Sequence, residues 1–392
     1  HARSLPQGPS MTRVLALLML ASSTLAADTP LPAPLLVQSS LAPATTVFVR
    51  EFPGRNDRFV EQLGEVCNAA GVELHIVPAG EPYAPNHIWV QDTVEFLEYA
   101  DGSGTVALSA NRNRALDEFA KDRLPDIDHL RVGEYRKEFA EGEGGSSWID
   151  WYGNLESSPP TANWPEGRIL YGVDPASGAQ MNPEIIAFLE QQGKQPPLPL
   201  DVGWLTIKHV DEMVSFLPAK GDDFHVAVPN PLVAISLLKR LERRGHGDEP
   251  LFTTYEEGVT VSGLLADADF LAANERLWLD RIEPMEKELR KGIGVSSRRV
   301  IGLPVLFQPS GLPRTPNVVN CLVLPSGSDE PGHVVMSDPN GPIIDGEDAW
   351  QTEVRKRLNA VNATLHFVDD RQYHKWSGNV HCATNAIRPV KP

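Results

Sequence analysis

Cysteine is scarce in this chain, which has only Cys67, Cys321 and Cys382 among its 392 residues. Three cysteines cannot build the disulfide framework of a small secreted domain. Either Cys67 and Cys321 pair and leave Cys382 unpaired, or both are small buried side chains. The sequence contains no CxxC pair, no HExxH and no glycine-rich phosphate loop, so the common signatures of zinc and phosphate binding are missing.

Basic residues are also in short supply. The chain has 35 Lys and Arg against 52 Asp and Glu, which gives a formal net charge of −17. This balance argues against nucleic acid as a partner, because phosphate backbones require a basic surface. It favours a cationic substrate through electrostatic steering, or it only keeps the protein soluble.

Long apolar stretches are missing except near the start. Met11 and Arg13 precede a short apolar run, Val14 to Leu25, that ends in a small-residue cleavage pattern at about Ala26. This is the pattern of a secretory signal peptide. We therefore expect residues 1–27 to be an upstream extension and signal peptide, and the protein to be secreted. No other stretch approaches a transmembrane span, so we expect no membrane partner.

The rest of the chain alternates between strand and helix patterns. Residues 28–44 are predicted to be a Pro-rich linker, and 45–392 a catalytic domain without a second domain. The hydrophobic periodicity predicts strands over 46–49, 72–77, 169–172, 205–210, 224–228, 318–324 and 364–368, and helices over 57–70, 182–192, 231–243, 271–291 and 347–360. This alternation indicates an α/β fold built from structural repeats around an axis.

His209 and Asp211 are the first candidates for chemistry. On the predicted strand, residues two apart point to the same face, so a general acid/base and a carboxylate would lie side by side. Asp92 follows an apolar segment, Trp89 to Gln91, as a carboxylate at the end of a strand. Each of these groups, taken alone, is equally explained as a hydrogen-bonded structural residue or a cap.

Cys382 lies beside His381 close to the C-terminus, where chains usually fray. A nucleophilic role requires the last strand to be held in the core. It also requires a nearby cation to lower the thiol pKa, which is about 8.5 in the free side chain. A bound guanidinium or a protonated His209 would supply that charge. The alternative is an inert cysteine in the last strand.

Together these four groups suit hydrolysis of a guanidinium. Two carboxylates clamp the planar cation, and a thiolate attacks its central carbon. A histidine then gives a proton to the departing ammonia and activates water against the thiouronium intermediate.

Several segments resemble the catalytic domain of the protein-arginine deiminases, in the guanidine-modifying (pentein) superfamily. The similar segments follow the family order and cover residues 45 to 390. They are WVQDTVEF (89–96), RNRALDEF (112–119), the run 151–160, GRILYG (167–172), KHVDEMVSFLP (208–218), PNVVNCLVL (316–324) and HCATN (381–385). The resemblance implies a five-bladed α/β propeller with pseudo-fivefold symmetry and hydrolysis of peptidyl arginine to citrulline and ammonia.

The resemblance also implies a role for each residue. Cys382 would be the nucleophile, Asp92 and Asp211 would hold the guanidinium, and His209 would act as general acid and then base.

Three further residues would bind the substrate. Trp89 would line the channel around the arginine side chain, and Arg112 and Arg114 would contact the peptide backbone near its mouth. Arginine-containing peptides or proteins are therefore the expected partners. The alternative for the two arginines is a solvated loop pair.

Calcium is the cofactor that the resemblance implies. Gln91, Glu95 and Glu156 match a family site, with Tyr152 and Leu155 as carbonyl donors, and this oxygen set suits calcium. Thr93 and Ser109 stand where an adjacent family site has acidic residues. We therefore expect at most one calcium ion near the active site, with calcium-independent activity as the alternative.

Two other functions compete with peptidyl-arginine deimination. One is deimination of free arginine, agmatine or another small guanidine. The other is a catalytically silent arginine-binding module. A papain-like hydrolase is disfavoured, because carboxylates flank the candidate site and the order of motifs differs.

Overall fold

The computed structural model describes residues 24–25, 31–80, 87–111, 119–124, 126–135, 147–221, 223–253, 256–326 and 330–388. The strands are β1 (Thr24–Leu25), β2 (Leu35–Val37), β3 (Thr46–Arg50), β4 (Glu73–Val77), β5 (Val94–Tyr99), β6 (Thr105–Ser109), β7 (Asp128–Leu130), β8 (Leu155–Ser157), β9 (Ile169–Asp174), β10 (Ala179–Gln180), β11 (Pro197–Asp201), β12 (Ser215–Pro218), β13 (Phe224–Pro229), β14 (Val300–Leu303), β15 (Leu322–Leu324), β16 (Gly332–Ser337), β17 (Ile343–Ile344), β18 (Glu347–Asp348), β19 (Ala363–Val368) and β20 (Thr384–Ile387).

The α-helices are Asp57–Ala70, Phe119–Arg123, Pro183–Gln191, Pro231–Arg243, Val261–Ala266, Ala268–Leu277, Glu283–Ile293, Ala349–Arg357, Arg371–Lys375 and Val380–Ala383. Local sequence explains how several of them begin and end. Asn182 accepts a hydrogen bond from the backbone N–H of Glu184 and precedes Pro183 in the first turn. Gly71 closes the first helix in the left-handed conformation, at φ 68°.

Five sheets share one pattern. In each, a central strand pairs antiparallel with one neighbour and parallel with another. The sets, written with the central strand in the middle, are β5-β6-β7, β8-β9-β11, β12-β13-β14, β15-β16-β19 and β20-β3-β4. Each parallel pair is joined through at least one helix, because a crossover needs more chain than a hairpin.

The fifth of these sheets joins the two ends of the domain. β20 pairs antiparallel with β3, which places Thr384 opposite Val49 and Ile387 opposite Thr46. Val47, Val49 and Ala386 pack in one buried cluster with the helix Asp57–Ala70. The chain next to Cys382 is therefore held in the core.

The structure corrects several boundaries. β2 lies inside the expected linker 28–44, pairs with β5 and buries Leu35 and Val37, because the segment carries apolar side chains between its prolines. The helix expected over 271–291 is interrupted by a π-helical turn, Trp278–Ile282. The strand expected over 318–324 is shortened to β15.

Two further findings concern the cysteines and the membrane. All three cysteines are free and buried, so the expected alternative of a Cys67–Cys321 disulfide is wrong. Within the described ranges, no helix is both long and apolar enough to cross a bilayer.

Candidate active site

The candidate site is formed where the chain enters, in each of the five sheets, the strand that pairs antiparallel with the central strand. The short helical turn Gln91–Thr93 precedes β5, Tyr152–Asn154 precedes β8 and Val210–Glu212 precedes β12. Asn320 lies just before β15, and the helix Val380–Ala383 precedes β20. Equivalent positions of five similar sheets therefore contribute Asp92, Gly153, Asp211, Asn320 and Cys382.

These locations differ from the sequence expectations. Residues 202–209 form a loop instead of a strand, so alternation along a strand does not place His209 and Asp211 together. Asp92 precedes β5 and does not end a strand. Cys382 lies in a helical turn before the last strand. Tertiary contacts hold these turns, which explains why local periodicity does not predict them.

The thiol of Cys382 is held between two neighbours. Its Sγ donates to Oδ2 of Asp211 at 3.4 Å, and Nδ2 of Asn320 lies 3.3 Å from the sulfur. The backbone N–H of Cys382 donates to Oδ1 of Asn320 at 3.2 Å. Asn385 secures the following strand through a 2.7 Å bond from Nδ2 to the carbonyl of Val94.

Burial raises the pKa of the Cys382 thiol well above its usual range, and the negative charges of Asp211 and Asp92 raise it further. The resting thiol is therefore neutral. A cation placed between the two carboxylates would reverse their effect and favour the thiolate.

The two carboxylate oxygens of Asp211 differ in their hydrogen bonding. Its Oδ2 accepts hydrogen bonds from Cys382 and from Nδ1 of His381, the latter at 2.9 Å. Its Oδ1 is buried and has no hydrogen-bond partner among the described residues. An unpaired buried carboxylate oxygen is costly, so this atom marks where a donor group belongs.

His209 faces Asp92 on one side and the backbone on the other. Its Nε2 lies 2.7 Å from the carbonyl of Trp148, so this nitrogen carries the proton. Its Nδ1 lies 3.6 Å from Oδ1 of Asp92. The imidazole is 1% exposed, so His209 is buried beside Asp92.

Two glycines leave room around these side chains. A Cβ on Gly153 would overlap Nδ1 of His209 and lie 2.9 Å from Oδ1 of Asp92. A Cβ on Gly378 would lie 2.5 Å from Cζ3 of Trp89 and 3.3 Å from Cβ of Cys382. Trp89 and Cys382 therefore lie on either side of Gly378 and close to each other, and the expected role of Trp89 as a channel wall stays a prediction.

Sequence reasoning assigned no role to Asn320, Gly153, Gly378 or His381. Asn320, Gly153 and His381 lie within the segments that carry the family resemblance, which is the only signal that could have identified them. The expected substrate ligands Arg112 and Arg114 lie outside the described residues.

Three of the residues expected to bind calcium, Gln91, Glu95 and Glu156, line a cavity of about 40 Å³ next to the thiol site, whereas Tyr152 and Leu155 do not line it. Nε2 of Gln91 donates to Oε2 of Glu95 at 3.1 Å and to the carbonyl of Tyr152 at 3.4 Å. Oε1 of Glu156 lies 3.3 Å from Nε2 of His381. Leu155 buries its side chain in the core, so only its backbone could contribute.

Burial disfavours the charged forms of Glu95 and Glu156, the two carboxyl groups at this cavity. Burial raises the pKa of Glu95 well above its usual range, and burial raises the pKa of Glu156 to about 7. The buried Arg388 opposes these shifts, and its guanidinium donates to the carbonyls of Ala42 and Val323 at 2.7 and 2.6 Å. In the described part of the chain, no group of three or more His, Cys, Asp or Glu has the arrangement of a metal site.

The comparisons with known proteins agree on one family. The family model for protein-arginine deiminase matches residues 31–391. Human (Homo sapiens) protein-arginine deiminase type-3 is 30% identical over 376 residues, which covers 91% of this chain and 54% of the relative. The type-4 enzyme of Rattus norvegicus is 28% identical over 379 residues with the same coverage of 91% and 54%. The chain thus spans about half the length of the curated relatives it matches.

Solved structures show the shared fold. The agmatine deiminase of C. jejuni aligns with a TM-score of 0.52 at 12% identity, over 90% of this chain and 96% of that one. The agmatine deiminase of Enterococcus faecalis aligns with a TM-score of 0.50 at 13% identity, over 91% and 97%. Identities this low support a common mixed α/β fold alone.

Proposed function

Because the chain belongs to the protein-arginine deiminase family, we propose that it hydrolyses the side chain of arginine within peptides to citrulline and releases ammonia. One observation supports this proposal most strongly. The thiol of Cys382 lies against Asp211, whose second oxygen is buried and unpartnered among the described residues, with His209 and Asp92 alongside.

In the proposed reaction, Asp92 and Asp211 hold the guanidinium, and its positive charge favours transfer of the thiol proton from Cys382 to His209. The thiolate of Cys382 forms a bond to the central carbon, and one C=N electron pair moves onto nitrogen. Protonated His209 gives its proton to that nitrogen, the C–N bond breaks and ammonia leaves. A cationic thiouronium remains on the sulfur.

Hydrolysis then regenerates the thiol. Neutral His209 takes a proton from water, and the hydroxide adds to the thiouronium carbon. Collapse of this intermediate breaks the C–S bond and returns the electron pair to sulfur. The hydroxyl proton passes to the sulfur, which regenerates the thiol and leaves the neutral ureido group of citrulline, and His209 loses its added proton to solvent.

The test compares an arginine peptide blocked at both ends with free arginine and agmatine. We expect citrulline and ammonia from the blocked peptide at a kcat/KM well above that of the free compounds. Higher turnover of a free compound would instead identify a small-guanidine deiminase. Binding of the peptide without ammonia release would identify a silent binding module. Cys382→Ser is the matched control and is expected to bind without turnover.

We also infer that the five similar sheets are the blades of a five-bladed α/β propeller. The repeated pairing pattern and the contribution of one turn per sheet to the site support this arrangement. The pairing of β20 with β3 would close the ring. An experimental structure in which the five sheets do not surround a common axis would contradict it.

We further propose that the cavity beside the site takes one calcium ion. The carboxylates of Glu95 and Glu156 and the Gln91 amide line this cavity, and the Tyr152 carbonyl lies 3.4 Å from Nε2 of Gln91, which together make an oxygen donor set that fits calcium. Burial raises the pKa of both carboxyl groups, and a bound cation would lower it again. A bound ion would stabilise these carboxylates as anions beside the guanidinium clamp. Calcium titration by calorimetry is the test, with Glu156→Gln as the control, and an absence of binding heat would contradict the proposal.

Finally, we propose that Met11 to about Ala26 is a secretory signal peptide. Cleavage there would remove β1 from the mature protein. N-terminal sequencing of protein recovered outside the producing cells should begin near Ala27, whereas retention of the uncleaved chain inside them would contradict the proposal.

A further inference from the structure

Lys208, the residue before His209, has an unusual backbone conformation. Its φ is 67°, in the left-handed region that side-chain-bearing residues avoid at a cost of about 1–2 kcal/mol. Such conformations persist only where surrounding contacts impose them, and they concentrate at functional sites.

The side chain of Lys208 is buried against Asp174, the last residue of β9. Its Nζ donates to Oδ2 of Asp174, and the two side chains are 11% and 5% exposed. A buried charge pair that loses one partner leaves the other uncompensated, so each partner fixes the place of the other.

Asp174 is also held in place by hydrogen bonds that do not involve Lys208. Its Oδ1 accepts the backbone N–H groups of Ala176 and Ser177 at 3.1 and 3.3 Å, and Oδ2 accepts the Ser177 hydroxyl at 2.5 Å. Gly203 allows this close packing, because a Cβ there would lie 2.8 Å from Cγ of Asp174. The carboxylate is therefore a fixed anchor on the sheet.

On its other side, His209 is secured by different contacts. Its backbone N–H reaches Oε1 of Glu212 at 3.4 Å, and the N–H of Val210 donates to Oδ1 of Asn154 at 3.0 Å. The Lys208 ammonium ties the preceding residue to β9. The imidazole is thus held between two anchored backbone positions.

We propose that the Lys208–Asp174 ion pair positions His209. The pair fixes the left-handed backbone conformation of Lys208, and this conformation directs the imidazole of His209 toward Asp92. The pair touches no reacting atom, so both members are positioning residues. This inference rests on the proposed deiminase function, because the role of His209 belongs to that proposal.

The test separates the effect of losing the ion pair from the effect of losing the left-handed backbone conformation of Lys208. Lys208→Gly keeps easy access to positive φ and removes the ammonium. We expect kcat on the blocked arginine peptide to fall about tenfold with KM changed less than about twofold, since a small misplacement of a catalytic group lowers the rate of the chemical step. Lys208→Arg should restore most of kcat because it can rebuild the pair.

A double-mutant cycle with Asp174→Asn adds a second criterion. If the two residues act as one unit, Lys208→Gly with Asp174→Asn should be no slower than the slower single variant. A kcat for Lys208→Gly within twofold of wild type, or effects that multiply in the double variant, would overturn the inference. Should Lys208→Gly fail to fold in a thermal melt, Lys208→Met replaces it, because it keeps the buried stem without the charge.

Two control variants lie away from the site. Asp345→Gly changes another left-handed residue, at φ 52° in the exposed β17–β18 turn, and should leave kcat unchanged. Arg240→Met breaks the ion pair with Glu353 and should lower only the melting temperature.

A readout without turnover distinguishes failure of the inference from failure of the proposed function. If wild-type protein makes no citrulline, the proposed function is wrong. The positioning claim is then decided by nitrogen NMR of histidine-labelled protein, with His209→Gln for assignment. Shifted ring signals of His209 in Lys208→Met support the inference, and unchanged signals overturn it.

Discussion

The Sγ of Cys382 lies 3.4 Å from Oδ2 of Asp211 and donates to it, so this side chain is held as a neutral thiol by the same carboxylate that is proposed to bind the substrate. Burial, Asp211 and Asp92 all raise the pKa of the Cys382 thiol. A guanidinium entering the site would offset the negative charges that raise the thiol pKa. Without such a cation the thiol stays protonated and its reactivity is limited.

Removing the Asp211 charge should therefore have opposite effects on two reactions. Asp211→Asn lowers the thiol pKa, and alkylation by neutral iodoacetamide at pH 8 should rise about threefold per unit of pKa, as more thiolate outweighs its lower nucleophilicity. Deimination should fall about 100-fold or more, because the guanidinium loses a buried charged partner. Mass spectrometry of Cys382 and citrulline assays measure the two rates.

The control for this experiment is Asp101→Asn, which removes a carboxylate from an exposed turn and should alter neither rate. Slower alkylation in Asp211→Asn than in wild type would show that the Asp211 charge does not control the thiol.

Replacing Gly153 or Gly378 by alanine should impair the reaction, the first substitution through kcat and the second through KM. Gly153→Ala would push His209 away from Asp92, and kcat should fall about 100-fold for a displacement near 1 Å. Gly378→Ala would displace Trp89 from its position near Cys382, so KM for the peptide should rise. Steady-state kinetics separate the two effects.

Gly64→Ala is the matched control. It lies in the helix Asp57–Ala70, and its Cβ would meet Leu74 at an ordinary 3.6 Å, so activity should be unchanged and the helix slightly more stable. Wild-type kinetics for Gly153→Ala would show that the space beside His209 is not needed.

Asp370 should make stability depend on pH. Its Oδ2 accepts Ser337 Oγ at 2.6 Å and Asn379 Nδ2 at 2.8 Å, and burial raises the pKa of its carboxyl to about 7. The unfolded chain releases this proton near pH 4 and the folded chain near pH 7, so the folded state binds more protons in between. The contribution is fully present below about pH 4 and is lost as the pH rises through about 7.

Asp370→Asn should remove this dependence. We expect the fall in the free energy of unfolding between pH 4 and 7 to shrink by on the order of 2–4 kcal/mol, measured by urea unfolding at several pH values. A pH profile identical to that of wild type would mean that Asp370 does not titrate in this window.

The C-terminal tail should be required for folding as well as for chemistry. Deleting residues 381–392 removes Cys382 and β20 together, so both activity and the cooperative thermal transition should be lost. Cys382→Ser is the comparison, because it should lose activity and keep the transition. Asn385→Ala leaves the Val94 carbonyl unpaired and should cost about 1–3 kcal/mol. A deletion variant that melts like wild type would contradict the closing role of β20.

Local periodicity predicted much of the scaffold. The helix over 57–70 and the strands near 46–50, 224–229 and 363–368 follow from apolar spacing and from caps such as Gly71. It did not predict the turns that carry Asp92, His209 and Cys382, because contacts with distant segments fix those turns. Asn154 Oδ1, for example, accepts the N–H of Val210 from another sheet.

The sequence by itself determined the residue types of the site and their family resemblance, since Cys382, His209, Asp211 and Asp92 stand in recognisable segments. Only the tertiary structure decided their environment. Burial and the neighbouring Asp211 hold Cys382 as a thiol, Asn320 supports it, and Lys208 bonds to Asp174 across 34 positions of the chain. Those effects depend on distances and desolvation between segments far apart in sequence, which residue order does not contain.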